Sequence, residues 1–213
     1  MFATDRDLLQ HEPRLFNDIR WAGQTLLEAS GVLSAIGDSV SIVGLNAEAR
    51  GIGEGCVALL DGLAVEITDA KSAGALGVSL LRSRRDDPAV GVSGGPRSVN
   101  VVVASFRPQI ALVHDRILRG LGLAMPEDEG EAPGAAAITN PDALVRVEAL
   151  GALHAIFASA SALVESNSPM WARAQMYRER FIEERRRIRV EIDLDGDGQP
   201  DATRTISAMR FVR

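Results

Sequence analysis

The stretch Val57-Ala-Leu-Leu-Asp61-Gly62-Leu-Ala-Val65-Glu-Ile67-Thr68 places a two-residue turn signal between two short apolar runs. Asp-Gly suits a tight hairpin, because both central residues of that turn need positive φ. Leu63, Val65 and Ile67 alternate as a strand with one buried face does. Towards the C-terminal side, Val65–Thr68 is expected to pair again with Leu76–Leu81 across residues 69–74, and Val99, Val101 and Val103 repeat the alternation. Arg82 to Pro96, rich in Arg, Asp, Gly and Pro, buries little and reads as an exposed loop. Residues 39–105 are therefore read as β-rich.

Outside this region the spacing turns helical. Leu8, Leu15, Ile19, Leu26 and Leu27 keep returning to one face, so residues 1–38 are expected to form a helical segment, kinked at Pro13 and closed at Gly31. Pro108 opens a second helix lined by Ile110, Val113, Ile117 and Leu121, within residues 106–124. Residues 125–138 are acidic, contain Pro and Gly, and read as a linker. Asn140-Pro141 and Ser168-Pro169 are helix starts, which makes 139–188 a helical hairpin; Met170, Ala174, Tyr177, Phe181 and Ile188 form its second apolar stripe. Residues 189–213 read as two strands joined by a turn. The expected class is α+β, a mainly α-helical bundle with a β-rich insertion and a C-terminal β-hairpin.

The chain has 213 residues, 46% of them apolar, enough to bury a core without cross-links. Its single cysteine, Cys56, permits no intramolecular disulfide and gives no sign of an oxidising compartment. The start MFATDRDLLQHEP lacks a basic region followed by an apolar stretch, as a signal peptide would have, and no window reaches the roughly 18 consecutive apolar residues expected of a membrane span. A net charge of −6 disfavours wide phosphate binding. The cluster Arg178, Arg180, Arg185, Arg186, Arg187 and Arg189 is first of all a solvated helix face.

One constellation has chemical content. Asp193, Asp195 and Asp197 stand at alternating positions and Asp201 follows in Asp193-Leu-Asp-Gly-Asp-Gly-Gln-Pro-Asp201, a pattern that wraps oxygen ligands around calcium. Arg204 stands where a full loop of that kind has its bidentate glutamate, so an acidic hairpin turn without metal is the reading placed slightly ahead of calcium. Gly51-Ile-Gly53-Glu-Gly55 reads as a plain turn. His11, His114 and His154 have no metal-binding spacing, Cys56 has no histidine beside it, and no G-x-S-x-G occurs. The expectation is a protein without enzymatic activity.

The segments FATDRDLLQHEPRLFNDI, VVVASFRPQIALVHDRIL, ITNPDALVRVEALGALHAIFASAS and MYRERFIEERRRIRVEIDLDGDGQPDATRTISAMRFVR, in that order, resemble the head–tail adaptor (connector or neck) proteins of tailed bacteriophages. Trp171 to Arg213 is the sharpest part of the likeness. The resemblance implies a homo-oligomeric ring, commonly of about a dozen copies, assembled in the host cytoplasm and seated at the virion neck below the portal protein. Such a ring extends the DNA channel, passes double-stranded DNA without sequence-specific binding, and offers a platform to the next neck or tail completion protein. It has no membrane partner. Arg185, Arg189, Ile206, Met209, Phe211 and Val212 are the expected partner-binding residues, through strand addition or helix packing. The alternative is a calcium-dependent binding module of a bacterial protein, with calcium the sole cofactor in view.

Overall fold

The structure, a computed structural model, describes residues 1–21, 23–70, 74–123, 134–162 and 168–206. The chain divides into two compact units, residues 4–106 and residues 1–3 with 107–213.

In the first unit, two short helices, α1 (Asp5–His11) and α2 (Leu15–Asp18), precede six strands: β1 (Thr25–Leu33), β2 (Ser39–Ser41), β3 (Val57–Leu60), β4 (Leu63–Asp69), β5 (Ala75–Ser79) and β6 (Arg97–Ala104). They close into an antiparallel barrel in the order β1-β2-β5-β4-β3-β6. Leu33, Val40, Leu60, Val65, Leu76 and Val101 are among the residues that fill it. The hairpin read from Asp61-Gly62 is present: Asp61 has φ 51° and Gly62 φ 86°, and Leu60 pairs with Leu63. β4 and β5 form the second expected hairpin, with Ile67 opposite Val78. The loop after β5 is mostly exposed, as its composition implies, but Val92 is buried and donates its N–H to Gly37 O at 2.8 Å.

This barrel overturns the expectation of a mainly helical bundle. The decisive residues are 25–33, expected to end a long helix and found as the longest strand of the barrel. Leu-Leu-Glu-Ala favours a helix by local propensity, but pairing along the whole of β6 wins. Leu27 and Leu33 are buried while Glu28, Ser30 and Val32 are exposed, the period of two that burial on one face demands. Gly31 does not cap a helix. A Cβ there would stand 2.7 Å from Val40 Cγ2 and 3.1 Å from Ser41 O, so glycine lets the strands approach.

The second unit packs α3 (Arg107–Leu121), α4 (Asp142–Ser161) and α5 (Pro169–Arg187), followed by β7 (Val190–Ile192) and β8 (Ala202–Arg204), an antiparallel pair. α5 starts as the sequence indicates, with Ser168 Oγ accepting the Trp171 N–H at 3.3 Å, whereas α4 starts one residue later than expected, with Pro141 at its cap position. Gly151 lies where a Cβ would meet Val113 Cγ1 at 2.6 Å and Phe181 Cε2 at 2.9 Å, so it lets side chains of α3 and α5 close on α4. Phe157 and Tyr177 stack at 5.6 Å. Among the described residues α4 is the one helix long and apolar enough to cross a membrane, but most of that stretch is buried within its unit. The expected linker 125–138 lies outside the described residues up to 133. Beyond it, Ala135–Ala137 form a 3-10 turn and Ile138 is buried.

Candidate functional site

The acidic turn joins β7 to β8, and its base is firmly held. Val190, Ile192 and Ile206 are buried in one cluster with Ile117, Leu121 and Leu144. On the other side of β7, residues 137–139 act as a further strand: Asp193 N–H donates to Ala137 O at 2.8 Å and Thr139 N–H to Glu191 O at 3.0 Å. Asn140, expected as a helix cap, instead uses its side-chain amide as a strand partner. It accepts the Glu191 N–H at 3.0 Å and donates to Arg189 O at 3.1 Å. Arg204 Nη1 donates to Leu121 O at 2.7 Å, tying β8 to the end of α3. The residue that breaks the calcium pattern therefore has a structural task.

Within the turn each carboxylate folds back on the main chain. Asp193 accepts the N–H groups of Gly196 and Gly198 at 2.7 and 2.8 Å. Asp195 accepts from Asp197 at 3.1 Å, and Asp197 from Gln199 at 2.7 Å. Gly196 and Gly198, at φ 81° and 86°, supply the left-handed backbone that this path requires. The Gly198 N–H above all, together with that of Gly196, holds the Asp193 carboxyl below its ordinary range. Asp193, Asp195 and Asp197 offer oxygens within 4.8 Å of one another, the spacing of ligands around one hard cation. Asp201 does not join them. It braces the turn by accepting the Leu194 N–H at 2.7 Å.

The expected partner residues scatter. Ile206 is buried in its own unit and belongs to that core. Arg185 is partly buried with its guanidinium 5.8 Å from the Phe181 ring, whereas Arg189 is exposed. Met209, Phe211 and Val212 lie outside the described residues.

Two buried charge networks escaped the sequence reading. In the barrel unit, Glu66 is fully buried and accepts from Arg6 Nε, from Arg82 Nε at 2.5 Å and from the Arg82 N–H at 3.0 Å. Asp7 receives Arg85, and Asp5 accepts Ser105 Oγ and the Phe106 N–H, both at 2.7 Å. In the helical unit, Glu148 is fully buried; it accepts the N–H groups of Phe2, at 2.7 Å, and Ala3, and meets His114 Nδ1 at 2.7 Å. No spacing rule joins residue 6 to 66 or 2 to 148. The one available signal was the density of charge in Asp5-Arg6-Asp7 on a short helix, and it pointed to solvent. These carboxylates are satisfied by protein donors, which makes them anchors of α1, of the loop after β5 and of the first residues. Cys56 is buried with Sγ 3.9 Å from Gly51 O, and Gly51 to Gly55 form the plain turn expected.

Comparison with protein-family models, with curated proteins and with solved structures finds no match for this chain.

Proposed function

We propose that the protein is a structural component of a tailed-phage neck, a head–tail adaptor whose copies form a ring below the portal and extend the DNA channel. The observation that carries this reading is the run from Trp171 to Arg213, in which an arginine- and glutamate-rich helix leads into the DGDG turn and a closing strand. A ring also needs surfaces that copies or neighbours can cover, and Val32, Ile36, Val43 and Val90 of the barrel unit are all at least half exposed or nearly so. The acidic balance suits a channel wall past which DNA slides without adhering.

The test is reconstitution with a tailed-phage portal protein from the same genome, followed by particle mass. A complex of several copies per portal ring is expected. A chain that stays monomeric and ignores the portal sinks the proposal. Shortening the chain after Ile206 is the informative truncation, because Val190, Ile192 and Ile206 belong to the core and removing them would unfold the helical unit.

A second reading concerns the turn: calcium bound by Asp193, Asp195 and Asp197, as a structural ion or in a calcium-dependent binding module. Its support is the convergence of three carboxylates within 4.8 Å. Calorimetric titration with calcium should give a heat that disappears in Asp195→Ala and Asp197→Ala. An unchanged heat, or none in the parent chain, rejects it.

A further inference from the structure

The barrel is closed unevenly. Ser34 N–H donates to Ser39 O at 2.9 Å, and Val32 stands opposite Ser41. Main-chain direction alternates along a strand, so the N–H and C=O groups of Val32, Ser30 and Glu28 face the β2 side. β6 gives the same phase. Asp61 N–H donates to Asn100 O at 3.0 Å, which turns Asn100 towards β3 and leaves Val99, Val101 and Val103 to bond Gly31, Ala29 and Leu27. The register is unbroken from Glu28 to Leu33.

β2, however, ends at Ser41, and the next N–H, of Ile42, goes to Gly74 O at 2.7 Å. Glu28 and Ser30 are left with main-chain groups that no described residue bonds. Arg50 Nη1 bonds Leu26 O at 3.1 Å and marks the near end of the gap. Glu28, Ser30 and Val32 all have exposed side chains. An open edge of this kind accepts a strand from another chain.

The chain itself contains a candidate strand. Residues 207–213, Ser-Ala-Met-Arg-Phe-Val-Arg, combine β-favouring Phe and Val with two arginines and no acid, while β1 carries one carboxylate, Glu28, and no basic residue. They follow directly on buried Ile206 and can extend roughly 23 Å from that anchor. We propose that segment 207–213 of one copy adds as a strand to the β1 edge at Glu28 and Ser30 of a second copy, with Arg210 or Arg213 facing Glu28. Copies then join head to tail, the heterologous contact from which rings are built. The inference rests on the reading of the chain as a ring-forming assembly protein, and it names the junction.

The probe is a labelled peptide of residues 205–213, titrated onto the chain shortened after Ile206. Saturable binding is expected. Ser30→Pro should weaken it roughly tenfold or more, because the proline removes an N–H that points away from β6 and so leaves the barrel ladder intact. Glu28→Arg alters no backbone and should weaken it too, by repulsion. In the assembly test, the shortened chain and the full-length Ser30→Pro chain should each be monomeric by light scattering. Mixed in equal amounts they should give dimers, since one supplies the edge and the other the strand. No peptide binding, or binding unaffected by both substitutions, overturns the proposal. So does a full-length chain that is monomeric with its edge already blocked to the peptide, which means that the segment occupies its own barrel. Head-to-tail joining without portal binding would instead remove the neck assignment and leave this junction standing.

Discussion

Among the described residues each unit encloses one fully buried glutamate, and the two are held by different partners. Glu66 on β4 is held between two guanidinium groups, of Arg6 and Arg82. Glu148 on α4 is held by two main-chain N–H groups and an imidazole. The first arrangement is a carboxylate between two guanidinium side chains; the second leans on main-chain N–H dipoles and one imidazole. Removing the anion should therefore hurt the barrel more. Glu66→Ala leaves Arg82 buried without its carboxylate partner and Arg6 with Asp7 alone, at 3.4 Å, and a loss of about 3–5 kcal/mol is expected for the barrel unit. Trp21 lies in that unit against Phe106, so urea unfolding of the full chain with Trp171 replaced by Phe reads it. A loss below about 1 kcal/mol would mean that the arginines find water and that the network is not an anchor.

Glu148→Gln sharpens the contrast from the other side. The glutamine oxygen still accepts a main-chain N–H, so the expected loss is about 1–3 kcal/mol, smaller than for Glu66→Ala. It should fall on residues 1–3 first, as faster amide exchange at Ala3, with the Trp21 transition unmoved. Equal losses from the two substitutions would erase the distinction between paired ions and solvating dipoles.

The comparison also explains which parts of the fold could be read beforehand. The Asp61-Gly62 hairpin was legible because its determinants are adjacent in sequence: two positive-φ positions between alternating apolar residues. The acidic turn was legible for the same reason, and three of its four carboxylates do converge. β1 was misread because Leu26-Leu27-Glu28-Ala29 prefers a helix when isolated, and only its pairing with β6, some seventy residues later, decides otherwise. Ile206 was taken for a contact because alternation says that a face is buried but not by what. The networks around Glu66 and Glu148 join residues far apart in the chain, and nothing local announces them.

Close packing offers a test of intermediate size in both units. Gly31→Val puts a branched side chain where even a Cβ stands 3.1 Å from the Ser41 carbonyl, and should cost about 1–3 kcal/mol through the Trp21 signal. Gly151→Val meets only side-chain atoms of Val113 and Phe181, which can shift, so it should cost less than the barrel substitution. The reverse order would indicate that the barrel, not the helical unit, is the more adaptable of the two.

The smallest expected effect concerns the start of α5. Ser168 has the extended backbone of a helix cap, and its hydroxyl accepts the Trp171 N–H at 3.3 Å, a long bond at an exposed end. Ser168→Ala should therefore cost only about 0.5–1 kcal/mol, at the low end for a lost cap. Ser168→Asp should recover it, because a carboxylate both accepts the N–H and complements the positive end of the helix. Trp171 is the third residue of α5, so with Trp21 replaced by Phe its fluorescence follows the helical unit alone. If Ser168→Ala shifted the Trp21 transition as well, the two units would not unfold independently, and every difference between Glu66 and Glu148 would have to be measured against a single shared stability.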